Sequence, residues 1–571
     1  MAEWGRLDSL ELVLSTIEIV PDDGDLFELN ESRQNTQIGL DGFQYPSNLL
    51  GLTQPFHFEL KLGGSYPAFV QPPPHSSTWQ GGPEAATARA KADWGNWSLQ
   101  TTVDKDAYEP RWNDLTRYSL SYRRGQSHFI AGDFNATFGH QGITFWNRPV
   151  YGSTSSFMST TGQNGFRLTP ATNSVVNHAL RGVAWNWKSE SLQLIAMASN
   201  SKYDAILDNT GAVTRLSDGG YHRSEGESVK RETLTERLIG LGAYSTGSLG
   251  IVKLNLGLMA WQGRFSPRLQ PTPTLSDPYP LNGDQAGAVG SSISGAWREV
   301  KSALEVVRNN DGEFAEAFLS SAKIPYLDTG VKLSIDHFPT RFNNLHAADV
   351  GGRTAQGFTA TGISLIQPFP YRKLKNIAFT SVRIDDEIPA LGDDFPVDRV
   401  ENTLEGVGTF DDFGWRLRIF SRHDTKSDSG LNPVSTTRVR FYSSYNLPDW
   451  GEFSNWIESA HANSEVDEPL NSWAVAGFFR SKFQKKQCKS NVRIGLTYFE
   501  TSELPIYQGE ISYPDRSRIV RLEGTGIRIS TELLSNPTFW STFSIKASRT
   551  YPLRVGARGN GELYLSITIN H

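Results

Sequence analysis

Long segments in which apolar and polar residues alternate are the feature that most constrains how this chain folds. Residues 56–62, 252–260 and 492–498 each carry apolar side chains at every second position. Alternation of this kind sends apolar side chains to one face of a β-strand and polar side chains to the other. About 25 such segments of about 9–12 residues are present, which fits a tilted strand that crosses a bilayer and exceeds the soluble average of about 5–6 residues.

The connections between these segments are uneven in length. Turn-rich pieces such as residues 309–312 are short, whereas other connections are long insertions. The insertions lie near residues 147–176, 204–234, 262–288 and 385–400. The sequence has no fixed repeat of about 40–50 residues, which a soluble β-propeller would show. Short turns at one rim and long loops at the other are typical of an outer-membrane barrel.

The sequence therefore predicts an all-β chain with two parts. Residues 51–571 are expected to form a single large antiparallel transmembrane β-barrel of about 22–26 strands. Residues 1–50 are expected to form a short N-terminal extension, periplasmic or plug-like, because a barrel of about 22 strands needs something to fill its lumen. One short amphipathic helix is predicted over residues 7–19, where leucine and isoleucine recur at helical spacing before Pro21.

Composition agrees with a barrel and excludes several other classes of protein. Only alternate residues of such strands need to be apolar, so a mean hydropathy of −0.40 is expected. The net charge of −6 offers no concentrated basic field for coating nucleic acid or an anionic membrane surface. The single cysteine, Cys488, excludes an intramolecular disulfide and a cysteine-rich metal site. No signal peptide is visible, yet the strand pattern predicts the outer membrane of a Gram-negative cell as the location.

Tryptophans near the ends of the predicted strands are expected to form aromatic girdles at the two membrane interfaces. This set comprises Trp146, Trp185, Trp187, Trp261, Trp450, Trp456 and Trp540. Each is individually expected to act in packing rather than in ligand contact.

Five arginines lie on the polar faces of two successive predicted strands: Arg416, Arg418, Arg422, Arg438 and Arg440. They alternate with apolar residues, so burying the apolar face in lipid turns the arginines toward the lumen. The opposite register is unfavourable, because an arginine on the lipid face near the bilayer midplane costs about 2–4 kcal/mol. Two interpretations of this lumen-facing basic group remain open: the guanidinium groups pair with internal carboxylates, or they line a pathway for anions or DNA.

The sequence contains no motif for a known catalytic site. It has no GxxxxGK[ST] phosphate loop, HExxH zinc helix or GxSxG nucleophile elbow, so we expect a protein that is not an enzyme and needs no cofactor. An acidic cluster, Asp385, Asp386, Asp393 and Asp394, is a calcium candidate because calcium prefers carboxylate oxygens. A solvated acidic loop is the alternative interpretation of this cluster.

Several segments, taken in order, resemble one family of proteins. They are residues 128–146, 178–184, 201–205, 220–227, 506–510 and 524–528. Together they resemble landmarks of the large outer-membrane β-barrels that follow helix-hairpin-helix domains in Bacteroidetes-like bacteria, over residues 115–570. The resemblance implies a barrel fold, and the helix-hairpin-helix domain of that family suggests a role in handling or taking up DNA.

These observations lead to three functional hypotheses. The first is a gated transport or translocation channel of the outer membrane, without catalysis. The second is a scaffold that anchors partner proteins at the outer membrane, and the third is a secreted, aromatic-rich glycan-binding protein or hydrolase. The expected partners are outer-membrane lipid and lipopolysaccharide, together with periplasmic or surface proteins, and nucleic acid is a minor alternative.

Overall fold

The structure, a computed structural model, describes most of the chain after residue 55. The described ranges are 56–66, 78–139, 142–147, 165–172, 179–217, 220–275, 277–347, 356–369, 373–388, 396–426, 434–448, 450–464, 469–485, 488–501, 504–512, 516–538, 541–553 and 561–570. The predicted N-terminal extension and its helix over residues 7–19 lie outside these ranges.

Thirty β-strands and one helical turn lie in the described ranges. The strands are β1 (Phe56–Tyr66), β2 (Ala85–Trp94), β3 (Trp97–Lys105), β4 (Leu115–Arg124), β5 (Ser127–Phe138), β6 (Phe145–Trp146), β7 (Phe166–Pro170), β8 (Leu180–Lys188), β9 (Leu192–Tyr203), β10 (Ala205–Leu207), β11 (Val213–Leu216), β12 (Leu234–Leu249), β13 (Val252–Leu269), β14 (Gly283–Trp297), β15 (Val300–Asn309), β16 (Phe314–Ile324), β17 (Thr329–Phe338), β18 (Phe358–Pro368), β19 (Asn376–Asp386), β20 (Val397–Phe410), β21 (Phe413–Lys426), β22 (Val434–Leu447), β23 (Gly451–Ser464), β24 (Leu470–Lys485), β25 (Cys488–Thr501), β26 (Ile506–Ser512), β27 (Arg516–Leu522), β28 (Thr525–Thr538), β29 (Ser541–Pro552) and β30 (Gly561–Asn570). The helical turn, α1, spans Glu225–Ser228.

Twenty-four of these strands form the wall of a closed antiparallel barrel. The wall runs from β1 to β5, continues through β8 and β9, and then passes through β12 to β25 and β28 to β30. β1 pairs with β30, from Glu59 with Asn570 to Tyr66 with Leu563, and this pairing closes the ring. The predicted fold class and strand number are confirmed, and a closed ring leaves no unpaired edge.

The two rims of the barrel differ in the length of their connections. At one end, the turn rim, neighbouring strands are joined by two-residue turns such as residues 95–96, 125–126 and 250–251. Gly125 has a φ of 55° in such a turn, a left-handed conformation that glycine adopts without steric cost. At the opposite end, the loop rim, connections are longer, as over residues 106–114 and 204–233.

One predicted insertion is wrong at both of its ends. The sequence places a loop over residues 262–288, but β13 continues to Leu269 and β14 begins at Gly283. The connection is therefore limited to residues 270–282. Glycine and proline in these strand ends weakened the alternating pattern without ending the strands.

The outer face of the wall carries exposed apolar side chains at alternate positions. Examples from separate strands are Leu258, Val289, Ile335, Val439 and Ile457. A belt of this kind is suited to contact with lipid, where every backbone group must be paired within the wall. Among the described residues, no helix has the length and apolar content needed to cross a membrane.

Among the described residues, the inner face of the wall is covered in at least two places. Between β5 and β8 the chain turns into the barrel, and we name its described residues, 142–147 and 165–172, the inner segment. β6 and β7 belong to it and both pair with β5. Ile143 and Phe145 of the inner segment pack into one buried cluster with inward-facing wall residues. The second place is covered by the β26–β27 hairpin, which packs against another buried cluster.

β5 leaves the wall partway along its length. Its pairing with β4 stops at Gly132, where φ is 103°, and its later residues pair with β7 instead. Two ladder groups that β4 presents beyond this point are bound by side chains. Asp133 Oδ2 accepts from the Tyr118 backbone N–H at 2.8 Å, and Arg181 donates to the Thr116 carbonyl at 2.8 Å. Asp133 and Arg181 are themselves paired at 2.9 Å.

The predicted aromatic girdle is wrong for three of its members, one of which, Trp146, lies in the inner segment. Trp261 and Trp456 are buried inside the barrel, each in one of the two clusters. Trp450 is exposed at a connection on the turn rim, and Trp540 lies outside the described residues. An interior filled with apolar side chains accepts tryptophan as readily as a membrane interface does.

Candidate functional site

The predicted arginines lie on the inner face of β21 and β22, opposite the exposed belt. Four of the five pair with carboxylates. Arg416 binds Glu405 of β20 at 3.1 Å, and Arg422 binds Asp424 on its own strand at 2.6 Å. Arg438 and Arg440 share one acid, the buried Glu458 of β23, so their charges are partly balanced within the wall.

Arg418 differs from its neighbours. It is half-buried, and its register partner on β22 is another cation, Arg440, while Glu405 on its other side is held by Arg416. The structure gives Arg418 no hydrogen bond or ion pair among the described residues, and its Nε atom is buried. A guanidinium group without a carboxylate therefore lies in the middle of the basic group.

The β26–β27 hairpin lies over two of these arginines. Arg438 donates to the Pro505 carbonyl at 3.3 Å, and Arg440 donates to the Tyr507 carbonyl at 3.1 Å. Gln508 accepts from the Thr497 hydroxyl of β25 at 2.8 Å. The hairpin is thus attached to the inner wall largely through side chains that bind its backbone.

Apolar contacts complete this attachment. Ile506 and Leu522, which are register partners at the base of the hairpin, are buried against Phe499 of β25. The arrangement covers the inner face between β22 and β28.

The inner segment is held against the opposite part of the wall. Thr144 donates to Glu305 of β15 twice, from its backbone N–H at 2.9 Å and from its hydroxyl at 2.7 Å. Its carbonyl accepts from the Trp261 indole at 3.1 Å. A side chain at Gly290 of β14 would collide with Thr144, because a Cβ there would lie 2.0 Å from the threonine hydroxyl. The wall is shaped to receive this residue.

A third network at the loop rim joins two long connections. His222 lies between Asp114 and Asp204, with its Nδ1 2.5 Å from the first carboxylate and its Nε2 2.9 Å from the second. Arg231 also binds Asp114, at 2.7 Å. Glu109 accepts from the His222 backbone N–H at 3.1 Å. These contacts fasten residues 106–114 to the loop that precedes β12.

The environment of this network shifts two pKa values. Burial lowers the pKa of His222, but its hydrogen bonds with Asp114 and Asp204 raise it by more, to about 9. Burial raises the pKa of Glu109 to about 7, because the desolvated carboxylate is disfavoured. Ligand atoms of Glu109, Asp114 and His222 lie within 4.8 Å of one another, yet each residue is already engaged by protein groups. The network is complete without an ion.

The predicted calcium candidates are only partly described. Asp385 and Asp386 end β19, and Asp385 binds Arg383 at 2.7 Å. Asp393 and Asp394 lie outside the described residues. The four-residue calcium cluster therefore stays a prediction.

Two groups of residues escaped prediction from the sequence. Glu305 and Asp336 are fully buried acids on the inner face, and Asp114, Asp204 and His222 form the rim network. Their members are far apart in sequence, so no spacing signals either group. The only hint in the sequence was the position of Glu305 and Asp336 within their strands, since both lie on the face opposite the apolar residues.

Comparison with known proteins finds similarity only among solved structures. No family model matches the sequence, and no curated protein matches it. The outer membrane protein OpdK from Pseudomonas aeruginosa is 10% identical over 67% of this chain and 99% of its own, with a TM-score of 0.30. The siderophore receptor PirA from Acinetobacter baumannii is 8% identical over 91% and 81%, with a TM-score of 0.42. The translocation pore of the P pilus usher PapC is 8% identical over 90% and 99%, with a TM-score of 0.33.

Proposed function

We propose that this chain is an outer-membrane transport barrel whose lumen is closed by two folded-in elements, the inner segment and the β26–β27 hairpin. The observation that supports this most strongly is how the elements are attached. Wall side chains bind their backbones, Glu305 at Thr144 and Arg438 and Arg440 at the hairpin. The contacts of Arg438 and Arg440 with the hairpin exchange for water or ligand without breaking a wall ladder, so the hairpin can move while the barrel stays closed. The inner segment is held more firmly, because it also pairs with β5 through its backbone.

The basic group beside the hairpin supports anionic solutes as the cargo class. Its five guanidinium groups pair with three carboxylates, and one of the five, Arg418, has no partner among the described residues. The three acids are Glu405, Asp424 and Glu458. An excess of positive charge in a low-dielectric lumen raises the local concentration of anions.

Planar-bilayer conductance tests the proposal. The full chain is compared with a variant in which residues 504–523 are replaced by a short Gly-Ser turn. We expect brief or small openings from the full chain and a larger, steady conductance from the variant. A variant that folds, as shown by heat-modifiable gel migration, and yet carries no current would contradict a transport role.

Reversal potentials in a salt gradient test the cargo class. In the hairpin variant, Arg418→Ser should reduce the preference for chloride over potassium. Arg237→Ser is the matched control, because Arg237 is an exposed arginine on the outer face of β12. Equal loss of preference in both variants would show that the basic group does not set selectivity.

A scaffold role is the second candidate, because the same two elements cover the lumen. Stoichiometric co-purification of partner proteins, with no conductance from the hairpin variant, would favour it.

The third hypothesis, a secreted glycan-binding protein or hydrolase, is not favoured, because the exposed apolar belt requires lipid. Contact with lipopolysaccharide, periplasmic or surface partners, DNA as cargo and the relation to the helix-hairpin-helix-associated barrels stay predictions.

A further inference from the structure

One buried carboxylate of the inner face is unexplained by the contacts around it. Asp336 of β17 is fully buried, and neither of its carboxylate oxygens has a hydrogen-bond partner within the described ranges. No basic side chain is paired with it in the described part of the chain. A buried ionised group without partners is strongly unfavourable, so such a group in a folded protein calls for a counter-charge or a proton.

A second fully buried acid lies in the same row of the wall. Glu305 of β15 is opposite Ala317 of β16, and Ala317 is opposite Asp336. Two strand spacings separate the acids by about 10 Å at Cα, and only the small alanine side chain stands between them. Both side chains face inward, and Glu305 is the charge that acts on Asp336. The two carboxylates are therefore directed into one apolar-walled space.

The inner segment closes this space from the lumen side. Glu305 binds the Thr144 backbone N–H and hydroxyl, and the Gly139 position is so close that a Cβ there would lie 2.2 Å from the glutamate carboxylate. On the other side of Asp336, the register partner on β18 is Ala360, which is also fully buried. The surroundings thus supply oxygen ligands and small side chains, and no cationic side chain of the described residues is paired with Asp336.

We propose that Glu305 and Asp336 bind a hard divalent cation of the calcium class beneath the inner segment. Two carboxylates and one divalent ion together carry no net charge. A monovalent ion would leave a net negative charge in the buried site. Carboxylate oxygens are ligands that calcium prefers, and its variable coordination number tolerates an irregular set. Because Glu305 also binds Thr144, the ion fixes the inner segment to the wall. The site is independent of whether the barrel conducts.

Terbium luminescence on the full chain in detergent micelles tests the site. Terbium substitutes for calcium, and Trp261, whose indole binds the Thr144 carbonyl, serves as the antenna. We expect sensitised emission that calcium displaces, and at least a tenfold weaker terbium affinity in Asp336→Asn and in Glu305→Gln. Asp284→Asn is the control, since Asp284 is a half-exposed acid near the start of β14 that pairs with Arg264 at 3.4 Å, and it should leave the affinity unchanged. Equal affinity in all four proteins would overturn the proposal.

A second measurement uses only the unaltered chain, in case the variants fail to fold. Thermal unfolding in micelles at neutral pH should shift upward by several degrees with millimolar calcium and return on adding a chelator. An unfolding temperature that does not change with calcium or chelator, but rises on mild acidification, would overturn the proposal. It would indicate that a proton neutralises Asp336 instead.

Discussion

The two faces of a single strand place opposite demands on neighbouring residues, as β22 illustrates. Val439 is exposed on the outer face, whereas Arg438 and Arg440 on either side bind Glu458 inside. Val439→Arg should cost about 2–4 kcal/mol, because it places a guanidinium group in lipid. Val439→Leu is the control and should fold normally. The folded fraction after refolding into vesicles, measured by heat-modifiable gel migration, checks this, and equal folding of the two variants would place Val439 away from lipid.

The rim network should make the loops sensitive to pH. His222 has a pKa raised above its ordinary value of 6.5 to about 9, so the folded loops bind its proton more tightly than unfolded loops do. The stabilisation that protonated His222 gives the folded loops is complete below about pH 6.5 and is lost as the pH rises through about 9. Glu109, with a pKa raised from 4.5 to about 7, acts in the same direction, since ionising it in the folded loops becomes unfavourable between those values.

Limited proteolysis of the loop over residues 204–233 measures this effect. Cleavage should be slow at pH 6 and faster at pH 9.5. His222→Gln should remove most of the change between pH 6.5 and 9, because the neutral amide has no proton to lose there. If the variant and the unaltered chain show the same pH profile, the network does not hold the loops together.

At the scale of elements, the fit of the inner segment against β14 can be tested with glycines. Gly290 faces Thr144 so closely that any side chain must displace it. Gly290→Ala should destabilise the barrel by about 1–3 kcal/mol, the usual range for overpacking. Gly247→Ala on β12 is the control, because a Cβ at Gly247 meets nothing within 4 Å. Urea unfolding in micelles measures the stability of both variants. Equal midpoints would show that the inner segment adjusts to the added methyl group without a loss of stability.

The wall strands were predictable because their pattern depends on period alone. The alternation over residues 252–260 and 492–498 falls within β13 and β25, as expected for strands with one face in lipid. The inner segment was not predictable, because Phe134 and Phe138 of β5 alternate just as lipid-facing residues do. Both are fully buried inside the barrel. The period of the pattern shows that a strand has two different faces. It does not show which face contacts lipid when the interior of the barrel is also apolar.

The candidate site was predictable only where it follows from a single strand pair. The inner position of the arginines on β21 and β22 follows from parity and the high cost of arginine in lipid. Their partner Glu458 lies on the next strand, but the contact of Arg440 with the Tyr507 carbonyl depends on how a loop folds inward. Likewise, Glu305 and Thr144 are 161 positions apart, a separation at which local pattern carries no signal.

At the scale of the whole molecule, closure of the barrel depends on the β1–β30 pairing. Leu62 is the register partner of Ile567, and both face outward. With Cys488→Ser removing the native thiol, Leu62→Cys and Ile567→Cys should form a disulfide on mild oxidation, since paired Cα atoms lie about 4.5–5.5 Å apart. Leu62→Cys with Leu563→Cys should not, because Leu563 pairs with Tyr66. Non-reducing gels of heated samples distinguish the cyclised chain, and equal crosslinking of both pairs would contradict this register.

Where β5 leaves the wall, a stretch of β4 is bound by side chains instead of by a neighbouring strand. This distinguishes it from the rest of the ring. A ladder breaks cooperatively, but the Thr116 carbonyl and the Tyr118 N–H are each bound by a single side chain, Arg181 or Asp133. Thermal fluctuations should release these groups one at a time. The Tyr118 amide should therefore exchange with deuterium sooner than the Leu120 amide, which faces Ala131 across intact pairing. Equal exchange would mean that the two side chains hold the strand as firmly as a neighbouring backbone does, so the barrel would have no lateral weak point toward the lipid.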